Sequence, residues 1–430
     1  MRPQLKKQIH KMEIKKIFNS DSRNIRALVM VFALLTICIF FHIATNGIFL
    51  SPANITNLVR QSSIVGILAI GMLLVIVSGN IDLSVGSMVG FLGGIASLFF
   101  MKQGLNLWVV IMLTLAIGFI AGCLQGALTA YLRIPAFIVT LGGLLIFRGS
   151  IMAIMKGETI SISNEFQIFG GGFLTFTTSC ILIFVAILFY SFYIFNQRKI
   201  KKQFSLKHSS IAVSILKITS LCFFLAFFLW IFTHNNNQTE VHPIITPIAV
   251  PSESPLATLP EYTNAANASS IASDDRAIPI PVVIMIVLAL IVSFISKFTI
   301  FGRRIFAIGG NAEAAWLSGI NIKFNTMLVF GLCGLLSAVA GIVYTARLGS
   351  AAPDAAAGYE LYAIAACVIG GTSLMGGRGT IFGAIIGALI MASLDSGMSI
   401  LNIEPFYQNI IKGAVLILAV YIDVASKRKK

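Results

Sequence analysis

The polar segment Ser78–Gly86 separates two apolar stretches and carries side chains suited to binding. Asp82 and Ser84 stand directly before the second stretch, where a carboxylate and a hydroxyl can accept hydrogen bonds from the free N–H groups that begin a helix. The same groups, placed where a broken helix lines a membrane pathway, would contact a polar solute or an ion. We predict capping by Asp82 and Ser84, with Asp82 between membrane segments rather than in hydrocarbon, and a pathway role remains compatible with it.

Two ladders of glycines at a spacing of four residues each follow a polar break in the hydrophobic pattern. The first ladder is Gly86, Gly90 and Gly94, and the second is Gly379, Gly383 and Gly387. The break before the second ladder begins with Gly370, Gly371 and Thr372, which are further pathway candidates. Small residues at this spacing let another helix backbone approach closely, although glycine is also frequent in membrane helices generally. The pattern predicts helix packing through Gly90, Gly94, Gly383 and Gly387, and two parallel pseudo-repeat halves.

The stretch Phe301–Ile322 is a long loop that is only mildly charged. Asn311 is placed to cap a short helix that Gly319 would end. Such a helix would expose Ala314, Leu317 and Trp316, which is unfavourable in water unless another surface covers them. The loop therefore predicts a partner groove that receives the short helix, and packing against the chain's own helices is the alternative.

Several chemistries have no matching pattern in the sequence. A nucleotide-binding G-x-x-x-x-G-K-[ST] loop is absent, since Gly377 occupies the lysine position of the nearest match. The six cysteines lie singly in apolar stretches, and no catalytic triad or cluster of metal ligands is apparent. We predict no catalytic residues, no metal site and no cofactor bound by this chain.

The segments that carry these residues are predicted to be hydrophobic helices. Of the 430 residues, 57% are hydrophobic and 11% are charged, against about 25% charged in soluble domains. Apolar blocks of membrane-spanning length recur along the chain, which predicts an all-α, polytopic membrane protein with about ten to twelve transmembrane segments. The twelve candidates are Ala27–Thr45, Ser62–Ser78, Leu83–Phe100, Leu107–Leu132, Ala136–Met155, Phe176–Phe195, Ile211–Phe232, Ile278–Ser296, Thr326–Ala346, Leu361–Leu374, Thr380–Leu394 and Phe406–Val424.

The net charge of +15 is distributed as in a membrane protein rather than a nucleic-acid-binding one. Lys and Arg cluster in short stretches beside apolar blocks, as expected of cytoplasmic loops and of contacts with anionic lipid. Twelve crossings from a cytoplasmic N-terminus place most cations inside, so both termini are predicted to be cytoplasmic. Arg148, with Glu158 as a possible partner, and Lys412 are interpreted as snorkelling cations, and Asp395 as a solvated interfacial acid.

The predicted organisation has five parts. A basic tail over residues 1–26 precedes a first helical half over 27–232. Residues 233–277 form a polar insert rich in proline, for which we expect an extended, external linker or lid, or an insertion of little consequence. A second helical half over 278–425 contains the loop 301–322, and a basic end covers 426–430.

The motifs of this chain, in order, resemble those of the permeases of bacterial ABC sugar importers, in the ribose, xylose and branched-chain amino-acid permease family. The matching segments are Asn54-x-x-Asn57-x-x-Arg60-Gln61, Gly66–Gly71, Ile81–Ser87, Ile134–Leu141, Phe301–Arg304, Gly309–Asn311 with Ala314-Ala315 and Gly319-Ile320, and Cys367–Leu374. Within the family the similarity is greatest to the members that carry xylose. The proline-rich insert is not a feature of the family.

The resemblance implies a permease without its own ATPase site that moves a monosaccharide, D-xylose, across the bacterial inner membrane by alternating access. Its implied partners are a second copy of the chain, two cytoplasmic ABC ATPase subunits that bind ATP, and a periplasmic sugar-binding protein. It assigns contact with the ATPase to the cytoplasmic loop 301–322, hereafter the coupling loop, through the residues Gly310, Asn311, Glu313, Ala314, Ala315 and Gly319.

Three alternatives lead to different expectations. A secondary transporter driven by an ion gradient would place ionisable residues within its spans, where the sequence shows almost none. An integral membrane enzyme would need a cluster of His, Asp or Cys at one membrane face. The same permease class with another cargo, such as ribose, galactose or an amino acid, is separated from the xylose hypothesis only by resemblance.

Overall fold

The computed structural model describes residues 29–203, 211–234 and 276–428, and most of them are helical. The basic tail and residues 235–275 of the insert lie outside the described ranges. The helices are α1 (Val29–Ala44), α2 (Pro52–Val77), α3 (Val85–Ser97), α4 (Leu107–Tyr131), α5 (Ala136–Met155), α6 (Asn164–Gly171), α7 (Phe176–Gln203), α8 (Ile211–His234), α9 (Ile280–Phe298), α10 (Ile300–Gly310), α11 (Ala312–Leu317), α12 (Ile322–Leu348), α13 (Tyr359–Ile369), α14 (Ile381–Ile400) and α15 (Pro405–Arg428).

Strands are few and short in the described residues. Strand β1 (Ile160–Ser161) pairs antiparallel with β4 (Ser350–Ala351), and β2 (Phe173–Thr175) pairs with β3 (Arg276–Pro279). A 3₁₀ turn, Ile48–Leu50, precedes α2, and a π-helical turn, Leu98–Lys102, extends α3. The chain is thus an all-α protein with two small β-ladders outside its long helices.

Eight helices of the described chain are long and apolar enough to cross a membrane. They are Pro52–Val77, Val85–Lys102, Leu107–Tyr131, Ala136–Met155, Phe176–Asn196, Ile280–Phe298, Ile322–Leu348 and Ile381–Ile400. Shorter apolar helices at Val29–Ala44, Tyr359–Ile369 and Pro405–Tyr421, together with α8, account for the remaining predicted segments. The predicted class of an all-α, polytopic membrane protein is confirmed.

The chain forms two compact units, whose bounds differ from the predicted halves. One unit comprises Met1–Gly172 and Ile280–Lys430, and the other is Phe173–Pro279. In the smaller unit α7 packs against α8, and the β2–β3 ladder places Phe173 opposite Pro279. The residues with predicted functions all lie in the larger unit.

The core of the larger unit is built around α2. This helix is apolar on all sides, and its residues from Ser62 to Val77 are buried, as expected of a helix enclosed by other helices. Helices α9, α12, α13 and α14 pack against it. Helix α14 runs antiparallel to α2, because Gly379 before its start approaches Val77 while Ser396 near its end donates a 2.9 Å hydrogen bond to Asn54.

A third small-residue face, which the sequence analysis did not single out, joins α4 to α12. Gly118, Gly122 and Gly126 recur at a spacing of four and lie against the backbone of α12 around Phe330 and Gly334. No side chain separates the two backbones there, so they approach as closely as small residues permit. This helix pair forms one wall around the first polar break.

Candidate functional site

Two short helices form the predicted coupling loop. Thr299 caps α10 by accepting a hydrogen bond from the N–H of Gly302, and Asn311 caps α11 by accepting one from the N–H of Ala314 at 2.9 Å. Helix α11 ends at Leu317, and Gly319 follows with φ +79°, a left-handed conformation that favours glycine. The predicted cap and helix end are confirmed.

Helix α11 presents apolar side chains outward. Trp316 is 66% exposed and Leu317 73% exposed, and Glu313 and Ala314 are exposed beside them. Ala315 is buried, so packing against the chain's own helices accounts for only this position of α11. An exposed tryptophan and leucine on a six-residue helix are the arrangement that a partner groove would cover.

The coupling loop meets both polar breaks at one junction. The N–H of Gly377 donates to the carbonyl of Val77 at 2.9 Å, which joins the second break to the end of α2. Gly309, in the last turn of α10, lies against this same carbonyl and the N–H of Gly377. Gly79 of the first break also approaches the backbone of Gly309. Three backbone segments therefore touch without intervening side chains, and Gly310 points into open space.

The first break is buried among helices. Asp82 is only 1% exposed, and its Oδ1 accepts hydrogen bonds from the N–H of Ser84 at 2.8 Å and from the Ser84 hydroxyl at 2.6 Å. Burial raises the pKa of Asp82, against the effect of these two hydrogen bonds. Helix α3 starts after Ser84 without a side-chain cap, so Asp82 orders the residue before the helix. The prediction that Ser84 also caps is wrong, because its hydroxyl is turned back toward Asp82.

Gln125 extends this polar group into α4. Its Nε2 donates to the Ser84 hydroxyl oxygen at 3.0 Å, and its side chain is 5% exposed. Gly143 of α5 lies against the same amide. Sequence reasoning missed Gln125, although a glutamine beside Gly122 and Gly126 on an apolar helix was a usable signal.

The first glycine ladder faces α13, the segment before α13, and α5. Gly86 lies against the Glu360 carboxylate, Gly90 against the carbonyl of Ala355, and Gly94 against Ile151. Arg148 of α5 donates to the carbonyls of Pro353 and Ala355, each at 3.1 Å. The snorkelling interpretation of Arg148 is therefore wrong, and Glu158 pairs instead with Lys102 at 3.4 Å.

The second ladder packs α14 on α13. Gly383 lies against the carbonyl of Gly370, and Gly387 against the carbonyl of Ala366. Gly371 adopts φ +79° after α13 ends, and Thr372 is fully buried. Both ladders thus serve as close-contact faces, and the repeat that they suggested stays a prediction.

A buried ion pair links α14 to α15. Lys412 Nζ lies 2.8 Å from Asp395 Oδ1, and the side chains are 9% and 15% exposed. The expectations that Lys412 snorkels and that Asp395 is solvated are wrong, because each side chain is enclosed by helices. The expectation that the spans hold almost no ionisable residues is corrected by this pair, since Asp395 lies in Ile381–Ile400 and Lys412 in Pro405–Tyr421.

Comparison with known proteins adds to this geometry. The model of the family described as branched-chain amino acid transport system / permease component matches residues 54–199 and 202–420. The chain belongs to this permease family. The match covers the bundle around α2, the coupling loop and both glycine ladders.

Individual relatives of the permease are similar over nearly their whole length. It is 41% identical to the xylose transport system permease protein of Haemophilus influenzae over 96% of this chain and 100% of that protein. The corresponding Escherichia coli K12 protein is 39% identical over 95% of this chain and 94% of its own. The ribose import permease protein of Escherichia coli K12 is 32% identical over 87% of each chain. No solved structure matches the permease.

Proposed function

We propose that this permease is the membrane subunit of an ATP-binding-cassette importer that carries a monosaccharide, D-xylose, across the bacterial inner membrane. The observation that carries the proposal is the 41% identity, over 96% of this chain, to a protein named as a xylose transport system permease. The aligned region takes in nearly the whole of this chain and all of that relative. The chain performs no bond chemistry in this account.

The geometry of the coupling loop supports energisation by a separate subunit. An exposed apolar helix, α11, provides a surface for an ATPase groove through Trp316 and Leu317. The preceding helix ends against Val77 and Gly377. A displacement of the loop would reach the end of α2 and the start of α14 directly, because backbone contacts leave little room for independent movement.

The proposed assembly contains two copies of this chain, two cytoplasmic ATPase subunits that bind ATP, and a periplasmic sugar-binding protein. The coupling-loop residues Gly310, Asn311, Glu313, Ala314, Ala315 and Gly319 would face the ATPase. Basic residues beside the apolar blocks support cytoplasmic termini and contact with anionic lipid. Asp82, Ser84, Gly86, Gly370, Gly371 and Thr372 remain candidates for the pathway.

Ribose is the second candidate cargo, because a relative named as a ribose import permease is 32% identical over 87% of this chain. The two cargoes are separated by uptake of radiolabelled xylose into proteoliposomes that hold the full complex, with unlabelled ribose, galactose or xylose as competitor. Xylose should compete at concentrations where ribose and galactose do not. Equal competition by ribose would replace the proposed cargo.

A further inference from the structure

A cavity of about 370 Å³ lies between α13, α14 and α15, away from the junction at Val77. Its lining includes Gly358, Leu361, Tyr362, Met391, Asn409 and Lys412. The volume is within the range of sites that hold small molecules, and an apolar wall with a few converging polar groups is typical of them. The lining contains no residue of the coupling loop and none of the junction at Val77.

Two polar residues of the lining, Lys412 and Tyr362, are hydrogen-bonded to each other, and Asp395 holds Lys412 from behind the lining. Lys412 Nζ donates to Asp395 Oδ1 at 2.8 Å and to the hydroxyl oxygen of Tyr362 at 2.5 Å. It also lies 4.7 Å from the centre of the Tyr362 ring. Tyr362 belongs to a cluster of three tyrosine rings. The ring of Tyr359 packs edge-on against that of Tyr362, with 5.5 Å between the ring centres, and the ring of Tyr344 packs edge-on against that of Tyr359, at 5.2 Å.

The cost of burying this ion pair points to a function. Charged side chains at membrane depth are unfavourable, and replacing a buried pair by apolar residues is often neutral or stabilising. Stability alone is therefore a poor reason for Lys412 and Asp395 to face each other across two apolar helices. A role in binding explains why ionised groups are kept beside a cavity.

The chemistry of the cavity suits a neutral, polyhydroxylated ligand. The ion pair has no net charge, so it offers little attraction to a phosphate headgroup or to a cation. An ammonium has three donor protons, of which two are used here, and Asn409 adds a side-chain amide to the lining. The Tyr362 hydroxyl, which accepts from Lys412, keeps its own proton to donate. Unused donors and acceptors beside an aromatic ring match the alternating hydroxyls and C–H face of a monosaccharide.

We propose that this cavity is a monosaccharide subsite of the transport pathway, with Lys412 and Tyr362 as polar contacts and with Asp395, behind the lining, holding the Lys412 ammonium in place. The inference rests on the proposed function and adds to it the place where the sugar is held within the membrane subunit. A hand-over site of this kind needs only weak binding, which agrees with the small number of polar groups in the lining.

The test compares uptake kinetics in proteoliposomes that contain the complete importer. The double variant Lys412→Met/Asp395→Leu removes both charges together and leaves neither group unpaired. We expect it to assemble with the ATPase subunits, as measured by co-purification, and to lose most xylose uptake. Uptake equal to that of the unchanged importer would show that the pair is structural only and would overturn the subsite.

Tyr362→Phe gives a second test that does not depend on assembly of the double variant. Loss of one hydroxyl should raise the KM for sugar-loaded binding protein severalfold, whereas Tyr421→Phe, on the exposed face of α15, should leave KM unchanged. An unchanged KM for Tyr362→Phe would also contradict the subsite. If the unchanged importer transports no monosaccharide, the proposed function itself fails, so the two failures are distinguishable.

Discussion

The N–H of Gly377 donates a 2.9 Å hydrogen bond to the carbonyl of Val77, and the backbone of Gly309 lies against both groups. This contact joins the end of the central helix α2, the break before α14, and α10 of the coupling loop. It connects the loop that carries the exposed helix α11 to the core of the bundle.

Adding a methyl group at Gly309 should disrupt the junction. An alanine Cβ there would overlap the carbonyl of Val77, which is backbone and cannot rotate away. Overpacking of this kind costs about 1–3 kcal/mol. We expect Gly309→Ala to lower both uptake and the midpoint of thermal unfolding in detergent.

Gly310→Ala is the matched control for this variant. A Cβ at Gly310 meets no atom within 4 Å, so this neighbouring change should leave unfolding unaltered. Equal unfolding midpoints for the two variants would show that the junction does not depend on the close approach of Gly309.

Glu313→Ala and Gly319→Ala should abolish uptake while the protein still inserts in the membrane. Glu313 is an exposed acid in the first turn of α11, and Gly319 has a left-handed φ of +79° that strains any other residue. Both changes alter the surface proposed to enter the ATPase groove. Immunoblots of membranes give the insertion level, and uptake of labelled xylose gives the activity.

The control for Glu313 is Glu158→Ala. Glu158 is also exposed and pairs only loosely with Lys102, at 3.4 Å, and such surface pairs contribute about 0–1 kcal/mol. Its removal should leave uptake near normal. Normal uptake in the Glu313 variant would remove the proposed role of α11 in coupling.

Replacing Asp82 should distinguish hydrogen bonding from charge. Asp82→Asn retains a carbonyl oxygen that can accept from the N–H of Ser84, whereas Asp82→Leu leaves that buried N–H without its partner. An unsatisfied buried donor costs about 1–3 kcal/mol. The midpoint of thermal unfolding should fall clearly for Asp82→Leu and little for Asp82→Asn. A large and equal loss for both would mean that the negative charge itself is required.

The second glycine ladder should be sensitive to added volume at its closest contact. Gly387→Ala would place a Cβ against the carbonyl of Ala366, so we expect a loss of about 1–3 kcal/mol. Gly149→Ala, in α5, meets nothing within 4 Å and should gain up to about 1 kcal/mol from helix propensity. Denaturation in detergent measures both, and a stabilised Gly387 variant would contradict the packing described here.

The sequence allowed the class of fold and the local features of the coupling loop to be predicted. The length and hydropathy of an apolar run identify a helix that can span a membrane. The hydrogen bond from the N–H of Ala314 to Asn311 joins residues only three apart, so it too follows from local sequence. The glycine ladders were recognisable because their spacing matches one helix face. Their contact partners were not, because those lie on helices distant in the chain.

The buried polar groups were the main errors of sequence interpretation. Lys412 and Asp395 are on different helices, and hydropathy does not tell which faces of two helices meet. Asp82 does stand in a connecting segment, as predicted, but its burial was not foreseen, because α4 and α5 enclose that segment through Gln125 and Gly143. Pairings that depend on tertiary packing could not be read from residue type and spacing.

Labelled xylose uptake by proteoliposomes containing this chain distinguishes an ATP-driven importer from a carrier driven by an ion gradient. One set holds the chain alone under a proton or sodium gradient, and the other holds it with its ATPase subunits, sugar-binding protein and ATP. We expect uptake only in the second set, and we expect that uptake to be lost when ATP is replaced by a nonhydrolysable analogue. Gradient-driven uptake by the chain alone would contradict this expectation and would make Asp82 and the Lys412–Asp395 pair candidates for ion coupling.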